Sequence, residues 1–389
     1  MLTTGTISLA VVADLEEEGW PSMDLMADML MAHAGGEGAV VSPQLFRPAF
    51  ERTLPGIAWR DTGAAPPIIE RIGHRFWSYP RWLRRQAPAD VYHILDHSYA
   101  HLAHELPPGR VVVTCHDTDA FRALTSPLDR ESALPRSLVR RVLSGLQRAA
   151  AVACDSEATR SELVDQRLVD ADRTFVVPIG VHPACHASHE GTADAIAAGL
   201  TGPAGGADLL HVGSTIPRKR IDVLLETLGL VAKQRPDVRL WRVGGAFSAA
   251  QAGRARDLGV TDRIVVLPFV TRPVLAALYR RAALVVLPSE REGFGLPVIE
   301  AMACGTPIVC SDLPVLREVG GVAAEYCAPG DSAAWARRIV ELLAERTAAP
   351  ERWAARRSSG LERAAAFSWT AYAAAMQGVY IRLAGAPVQ

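Results

Sequence analysis

Two carboxylates, Glu292 and Glu300, stand either side of the turn Gly293-Phe294-Gly295-Leu296 in the stretch PSEREGFGLPVIEAMACGTPIVCSD, residues 288–312. Gly293 and Gly295 permit a tight turn with close backbone approach, and Pro297 suits the first turn of a helix. A helix start of this kind presents free N–H groups and a partial positive charge, which together favour an anion such as a phosphate. Carboxylates that bracket the anion can each accept from vicinal hydroxyls, as a ribose at one end and a hexose at the other would offer. The plainer alternative makes Glu300 a solvated helix residue and Glu292 a capping residue.

A second group lies in HVGSTIPRKRIDVLLETL, residues 211–228, where a strand ends in Gly213 and Arg218, Lys219 and Arg220 precede an amphipathic helix from about Ile221. The chain has only two lysines, Lys219 and Lys233, so a lysine here is a selective placement. Cations in such a loop can neutralise a diphosphate that departs with the electrons of a breaking bond, each contact being worth about 1.5–3 kcal/mol. A solvated basic turn is the bland alternative. Gly244 and Gly245 follow another strand, and His116 stands at the end of RVVVTC, although a lone histidine is more often structural. The Asp-x-Asp triplets at 117–119 and 170–172 are read as chance occurrences, and no metal site is expected. Asp155-Ser156-Glu157 is read as an N-cap.

Holding these groups requires strands that end where the chemistry begins. Short Val/Ile/Leu-rich runs alternate with helical periodicity, the pattern of buried parallel strands with crossover helices. In the first half they are residues 7–14, 38–42, 90–95, 110–115, 151–154 and 175–178; in the second, 209–213, 238–244, 263–268, 283–288 and 307–311. The fold class is therefore α/β, with two Rossmann-like parallel-sheet domains. Open parallel sheets take ligands at their carboxyl ends, so two of them facing each other would enclose a central cleft. The Gly-rich stretch 191–208 reads as the linker, which puts the N-terminal domain at 1–199 and the second at 200–369.

The 389 residues suit two domains of ordinary size, and 49% hydrophobic with 21% charged residues is a soluble globular balance. A net charge of -1 excludes a global basic field for nucleic acid. Six cysteines without a CxxC pair read as buried, reduced thiols. The start MLTTGTISLAVVADLEEEGW lacks a basic segment, and no apolar run approaches the ~20 residues of a membrane span, so a cytoplasmic protein is expected. The reading leaves room for peripheral membrane contact through RIGHRFWSYPRWLRR, residues 71–85, whose other interpretation is arginines around partly buried aromatics.

The block EGFGLPVIEAMACGTPIV resembles the signature of glycosyltransferase family 4, retaining enzymes of the two-domain GT-B fold whose paired glutamates contact a nucleotide-sugar donor. The resemblance continues through VGGAFSAAQ (243–251), the run at 277–282 and FSW (367–369), covering nearly all of the C-terminal half. It implies that Glu300 binds the ribose and Glu292 the transferred sugar, with Gly293, Phe294, Gly295 and Leu296 near the donor. It implies that Arg218 and Lys219 bind the diphosphate, that Gly213 and Gly244 border the nucleotide, and that His116 contacts the transferred sugar. Ser214 departs from the arginine of many members. It also implies that residues 370–389 return to the N-terminal domain. The first loop, LEEEGWPSMDL (15–25), departs from the family's Gly-rich turn by offering only Gly19, and its acids, unsuited to a phosphate, are expected to face the acceptor instead.

The expected activity is metal-independent transfer, with retention, of a hexose-type sugar from a nucleoside-diphosphate sugar in polysaccharide or glycoconjugate synthesis. The donor is a substrate and no cofactor is expected. The acceptor is a hydroxyl of a sugar, a lipid-linked sugar or a small molecule. A nucleotide-sugar epimerase and a non-catalytic nucleotide-sugar-binding protein are the competing readings.

Overall fold

The structure, a computed structural model, describes residues 6–35, 39–49, 68–125, 135–203 and 205–385. Its chain divides into two compact units, Met1–Gly180 with Trp369–Gln389, and Val181–Ser368.

The first unit is built on six parallel strands: β1 Ile7–Val12, β2 Val41–Phe46, β3 Val91–Ile94, β4 Val111–Cys115, β5 Ala151–Cys154 and β6 Thr174–Val176. Their order is β2-β1-β3-β4-β5-β6, so the chain reverses direction across the sheet between β1 and β3. The inner strands β3, β4 and β5 are buried along their whole length, which is why they read as continuous apolar runs. β2 runs further than the expected 38–42, of which residue 38 lies outside the described residues, and carries Pro43. A proline lacks the N–H of a ladder donor, and β2 accommodates it as an edge strand. The helix Trp369–Gly385 packs on β1 and β3 and on the helix Pro21–Ala34. Tyr380 Oη lies 2.7 Å from His93 Nδ1, and Arg110 donates to the carbonyls of Leu383 and Ala384. Residues 386–389 lie outside the described set.

The second unit also has six parallel strands: β7 Asp208–Val212, β8 Arg239–Val243, β9 Ile264–Leu267, β10 Leu284–Leu287, β11 Ile308–Ser311 and β12 Glu325–Cys327. The order β12-β11-β10-β7-β8-β9 is that of a doubly wound dinucleotide-binding sheet, with its reversal between β7 and β10. Five strands were legible as apolar runs; β12, three residues at an edge with a charged first member, was not. Trp335, Leu224 and Ile339 anchor a core of buried side chains.

The stretch 191–208 is not a linker between the units. Gly191–Thr201 is a helix with Ala193, Ala197 and Thr201 buried along one face, a four-residue spacing that small side chains conceal from a composition reading. It packs on the helix Arg272–Arg281, whose Arg280 donates to Asp194 at 2.9 Å and to the His186 carbonyl at 3.1 Å. The change of unit accordingly falls at Gly180 rather than at residue 199. All six cysteines are buried and unpaired. Among the described residues, no helix is long and apolar enough to cross a membrane.

Candidate functional site

In the second unit the loops after β7 and β10 emerge side by side at the reversal of strand order, the position where open α/β sheets hold ligands. After Gly213 the chain forms a short 3-10 turn, Pro217–Lys219, and Arg220 takes a left-handed conformation that starts the helix Ile221–Ala232. The Glu290 N–H donates to the Arg218 carbonyl at 2.7 Å and joins the two loops.

Glu292 is the centre of that junction. Its Oε1 accepts from Lys219 Nζ at 2.6 Å and from Ser289 Oγ at 2.6 Å, and its Oε2 accepts from Arg218 Nη1 at 3.4 Å. Arg218 also donates to the Arg291 carbonyl at 2.9 Å. Burial alone would raise the Glu292 carboxyl, but the charges of Lys219 and Arg218 and the bonds from Lys219 and Ser289 hold it below its ordinary value. Glu292 is therefore a carboxylate, and the two cations are held ready by it.

Beyond Glu292, Gly295 adopts φ +97°, and a Cβ there would stand 2.6 Å from Leu316 Cδ2. The helix Leu296–Ala303 then begins with no side chain capping its first N–H groups. Phe294 is buried edge-to-face against Phe367, with ring centroids 5.7 Å apart. Glu300, on this helix, is buried and accepts from Tyr279 Oη at 2.8 Å. Its carboxyl is raised by burial, only partly opposed by the Tyr279 bond and the Arg272 charge.

The floor between these loops is backbone. Gly213 N–H donates to the Val243 carbonyl at 2.9 Å, and Gly244, at φ +123°, lies so near that a Cβ would stand 2.0 Å from the Gly213 oxygen. Gly213, Gly244, Arg218, Lys219, Glu292, Gly293, Phe294, Gly295, Leu296 and Glu300 are thus all carried by this unit.

His116 lies in the other unit, at the end of β4. Its Nδ1 is 2.5 Å from Asp155 Oδ2 and its Nε2 2.8 Å from the Leu95 carbonyl. Two acceptors on two ring nitrogens require a doubly protonated ring. Burial opposes the charge, yet the Asp155 carboxylate and its hydrogen bond, with Asp96 behind them, push the ring up to about 10. Both ring nitrogens of His116 are therefore engaged within its own unit.

Sequence reasoning missed several polar groups. Ser289 and Tyr279 hold the two glutamates, and Arg242 is a fully buried arginine inside β8. A cation inside the run LWRVGG, one residue before two glycines, was the available signal. In the first unit, Asp14 and Asp96 follow β1 and β3 at its own reversal of strand order, buried beside one another. Burial and the neighbouring Asp96 carboxylate push Asp14 well above the usual range. Asp96 is also opposed by burial but stays low through His97, His116 and its bonds from Ser98. The acidic turn Glu16–Glu18 and Gly19, at φ +69°, lie beside them, with Glu18 3.8 Å from Arg75. The sequence showed these acids but not their pairing across strands.

Residues 206–345 match the family model described as Glycosyl transferases group 1, and residues 27–184 match Glycosyltransferase Family 4. A D-inositol 3-phosphate glycosyltransferase of Thermobispora bispora is 35% identical over 190 residues, which are 46% of this chain and 44% of the relative. The chain spans about half the length of the curated relatives it matches. Among solved structures, sucrose-phosphate synthase from Thermosynechococcus elongatus is similar with a TM-score of 0.75 and 20% identity, over 97% of this chain and 99% of that one. Anabaena HepE in complex with UDP and glucose has a TM-score of 0.71 and 18% identity, over 96% and 99% of the two chains. The two six-stranded units are those of the GT-B fold.

Proposed function

The chain belongs to glycosyltransferase family 4, the group 1 glycosyl transferases, and on that premise we propose that it moves a hexose-type sugar from a nucleoside-diphosphate sugar to a hydroxyl acceptor. The observation that carries this reading is the Lys219–Glu292–Arg218 cluster at the strand-order reversal of the second unit, beside an uncapped helix start.

In this reading the diphosphate lies against Arg218 and Lys219, which take up the negative charge that develops as the glycosidic bond to phosphate breaks. Glu292 orients the sugar and Glu300 the ribose. A diphosphate arriving at the cluster competes with Glu292 for its cations, and the freed carboxylate oxygens then accept from sugar hydroxyls. No covalent nucleophile is invoked: the acceptor hydroxyl attacks on the face the leaving phosphate departs from, the phosphate takes its proton, and the configuration is retained. The reaction uses no metal and no cofactor. His116 reaches the sugar only by releasing Asp155 or the Leu95 carbonyl. The acceptor is assigned to the first unit, near the acids after β1 and β3, and the relative's name makes an inositol phosphate one candidate among sugars, lipid-linked sugars and small alcohols.

The test is turnover of UDP-glucose, UDP-N-acetylglucosamine and GDP-mannose in EDTA, with a panel of hydroxyl acceptors that includes inositol 3-phosphate. Release of nucleoside diphosphate only when an acceptor is present, with an α-linked product by NMR, is the expected result. Sugar interconversion without acceptor would mark an epimerase. Binding without turnover against every acceptor would mark a non-catalytic binder.

A further inference from the structure

Arg242 is the fourth residue of β8, RLWRV, flanked by Trp241 and Val243, and is fully buried, whereas Arg239 at the start of the strand is only partly so. Its Nη2 donates to the Gly213 carbonyl at 2.9 Å and to the Gly244 carbonyl at 3.2 Å, and its Nη1 donates to the Gly245 carbonyl. The guanidinium lies 5.2 Å from the centroid of the Phe247 ring. Its Nε has no hydrogen-bond partner, and among the described residues it forms no salt bridge. Burial lowers it only to about 10, so it is a cation at neutral pH.

A buried charge without a counter-ion is costly and is retained where something compensates it. Two features indicate what. In a trans peptide the C=O and the following N–H point in opposite directions, and the described chain has no cis bonds. Drawing the carbonyls of Gly213, Gly244 and Gly245 onto one guanidinium therefore turns the N–H groups of Ser214, Gly245 and Ala246 away from it. None of these three donates to an acceptor among the described residues, and none is buried. A set of outward N–H groups backed by a cation is an anion cradle. It borders Lys219, whose side-chain carbons lie 3.7 Å from the Cβ position of Gly213.

We propose that Arg242 is a positioning residue for the donor diphosphate: it clamps three glycine carbonyls so that the peptide N–H groups face the phosphates, and its charge stands behind them. The inference rests on the donor-site reading given above and deepens it. Arg242 does not touch the ligand; it acts through the backbone it holds.

The test compares the full-length wild type with Arg242→Met and Arg242→Lys by calorimetric or NMR titration of UDP, GDP, ADP and dTDP and of the corresponding nucleosides. For the base the protein accepts, Arg242→Met is expected to weaken the nucleoside diphosphate at least tenfold while the nucleoside stays within twofold of wild type. Arg242→Lys, which keeps the charge but not the fork, should fall between. A role confined to the general stability of the unit would lower both ligands together, and that result overturns the inference, as does diphosphate affinity within twofold of wild type. Should Arg242→Met not fold, the same ratio is read from Arg242→Lys. A wild type that binds none of the four nucleotides removes the donor reading itself and this inference with it.

Discussion

Glu292 and Glu300 sit in opposite electrostatic surroundings, and their titration separates their roles. Glu292 is held below its ordinary value of 4.5, so the stability it contributes is present above that pH and is lost as pH falls through the lower, folded value. Glu292→Gln should therefore cost about 3 kcal/mol at pH 7, the low end for breaking a buried ion pair, and the gap to wild type should narrow below pH 4. Thermal melts at the two pH values read this directly; a gap that is unchanged or wider in acid contradicts the pairing. Glu300 is raised above 4.5, so its favourable contribution is full below that pH and is lost as pH rises through the folded value. Glu300→Gln should leave the melting temperature at pH 8 equal to wild type or higher, while nucleotide affinity falls at least fivefold, as expected for a carboxylate kept for a ligand. Loss of stability together with unchanged affinity would make Glu300 a structural residue. The turn into a helix between the two glutamates was legible, because its glycines and proline dictate it; residue type and spacing alone left the glutamates open between a ligand role and a solvated or capping one. Arg242 was not legible, since an arginine in a strand reads as an edge or surface residue until its carbonyl partners are seen. The Asp14–Asp96 pairing was hidden for another reason: it joins acids far apart in sequence, brought together by β1 and β3 lying side by side.

At the scale of elements, the apolar runs announced eleven strands because parallel strands covered on both faces have no polar alternation to blur them. The misses have two causes. β2 and β12 are edge strands, where a proline or a glutamate is tolerated, and Gly191–Thr201 is a helix of small residues that composition assigns to a linker. That correction has its own test. Gly199 is exposed on this helix, with nothing within 4 Å of its Cβ position. Gly199→Ala should raise stability by about 0.5–1 kcal/mol, the helix preference of alanine over glycine. Urea unfolding measures it, and a destabilisation would deny the residue a helical conformation.

For the whole molecule, each unit is a doubly wound sheet, and each carries a buried charged cluster where its strand order reverses. The second unit places two cations and a run of glycines there around one carboxylate; the first places Asp14, Asp96 and Glu18 there around Arg75. That contrast is why the donor diphosphate is assigned to the second unit and the hydroxyl acceptor to the first. The fold was legible because alternation of strand and helix is repeated along both halves, and the strand order was not, because nothing local in the sequence records which strands become neighbours. The central claim is that the second unit holds a nucleoside diphosphate without a metal. The most direct measurement is thermal unfolding of the full chain with UDP, GDP, ADP and dTDP, each with and without EDTA. A ligand at 100 times its dissociation constant adds about 2.7 kcal/mol, which corresponds to several degrees for a unit of this size. The account predicts such a shift with at least one nucleotide, unchanged by EDTA and abolished in Lys219→Met; no shift with any of the four, or one that EDTA removes, would contradict it.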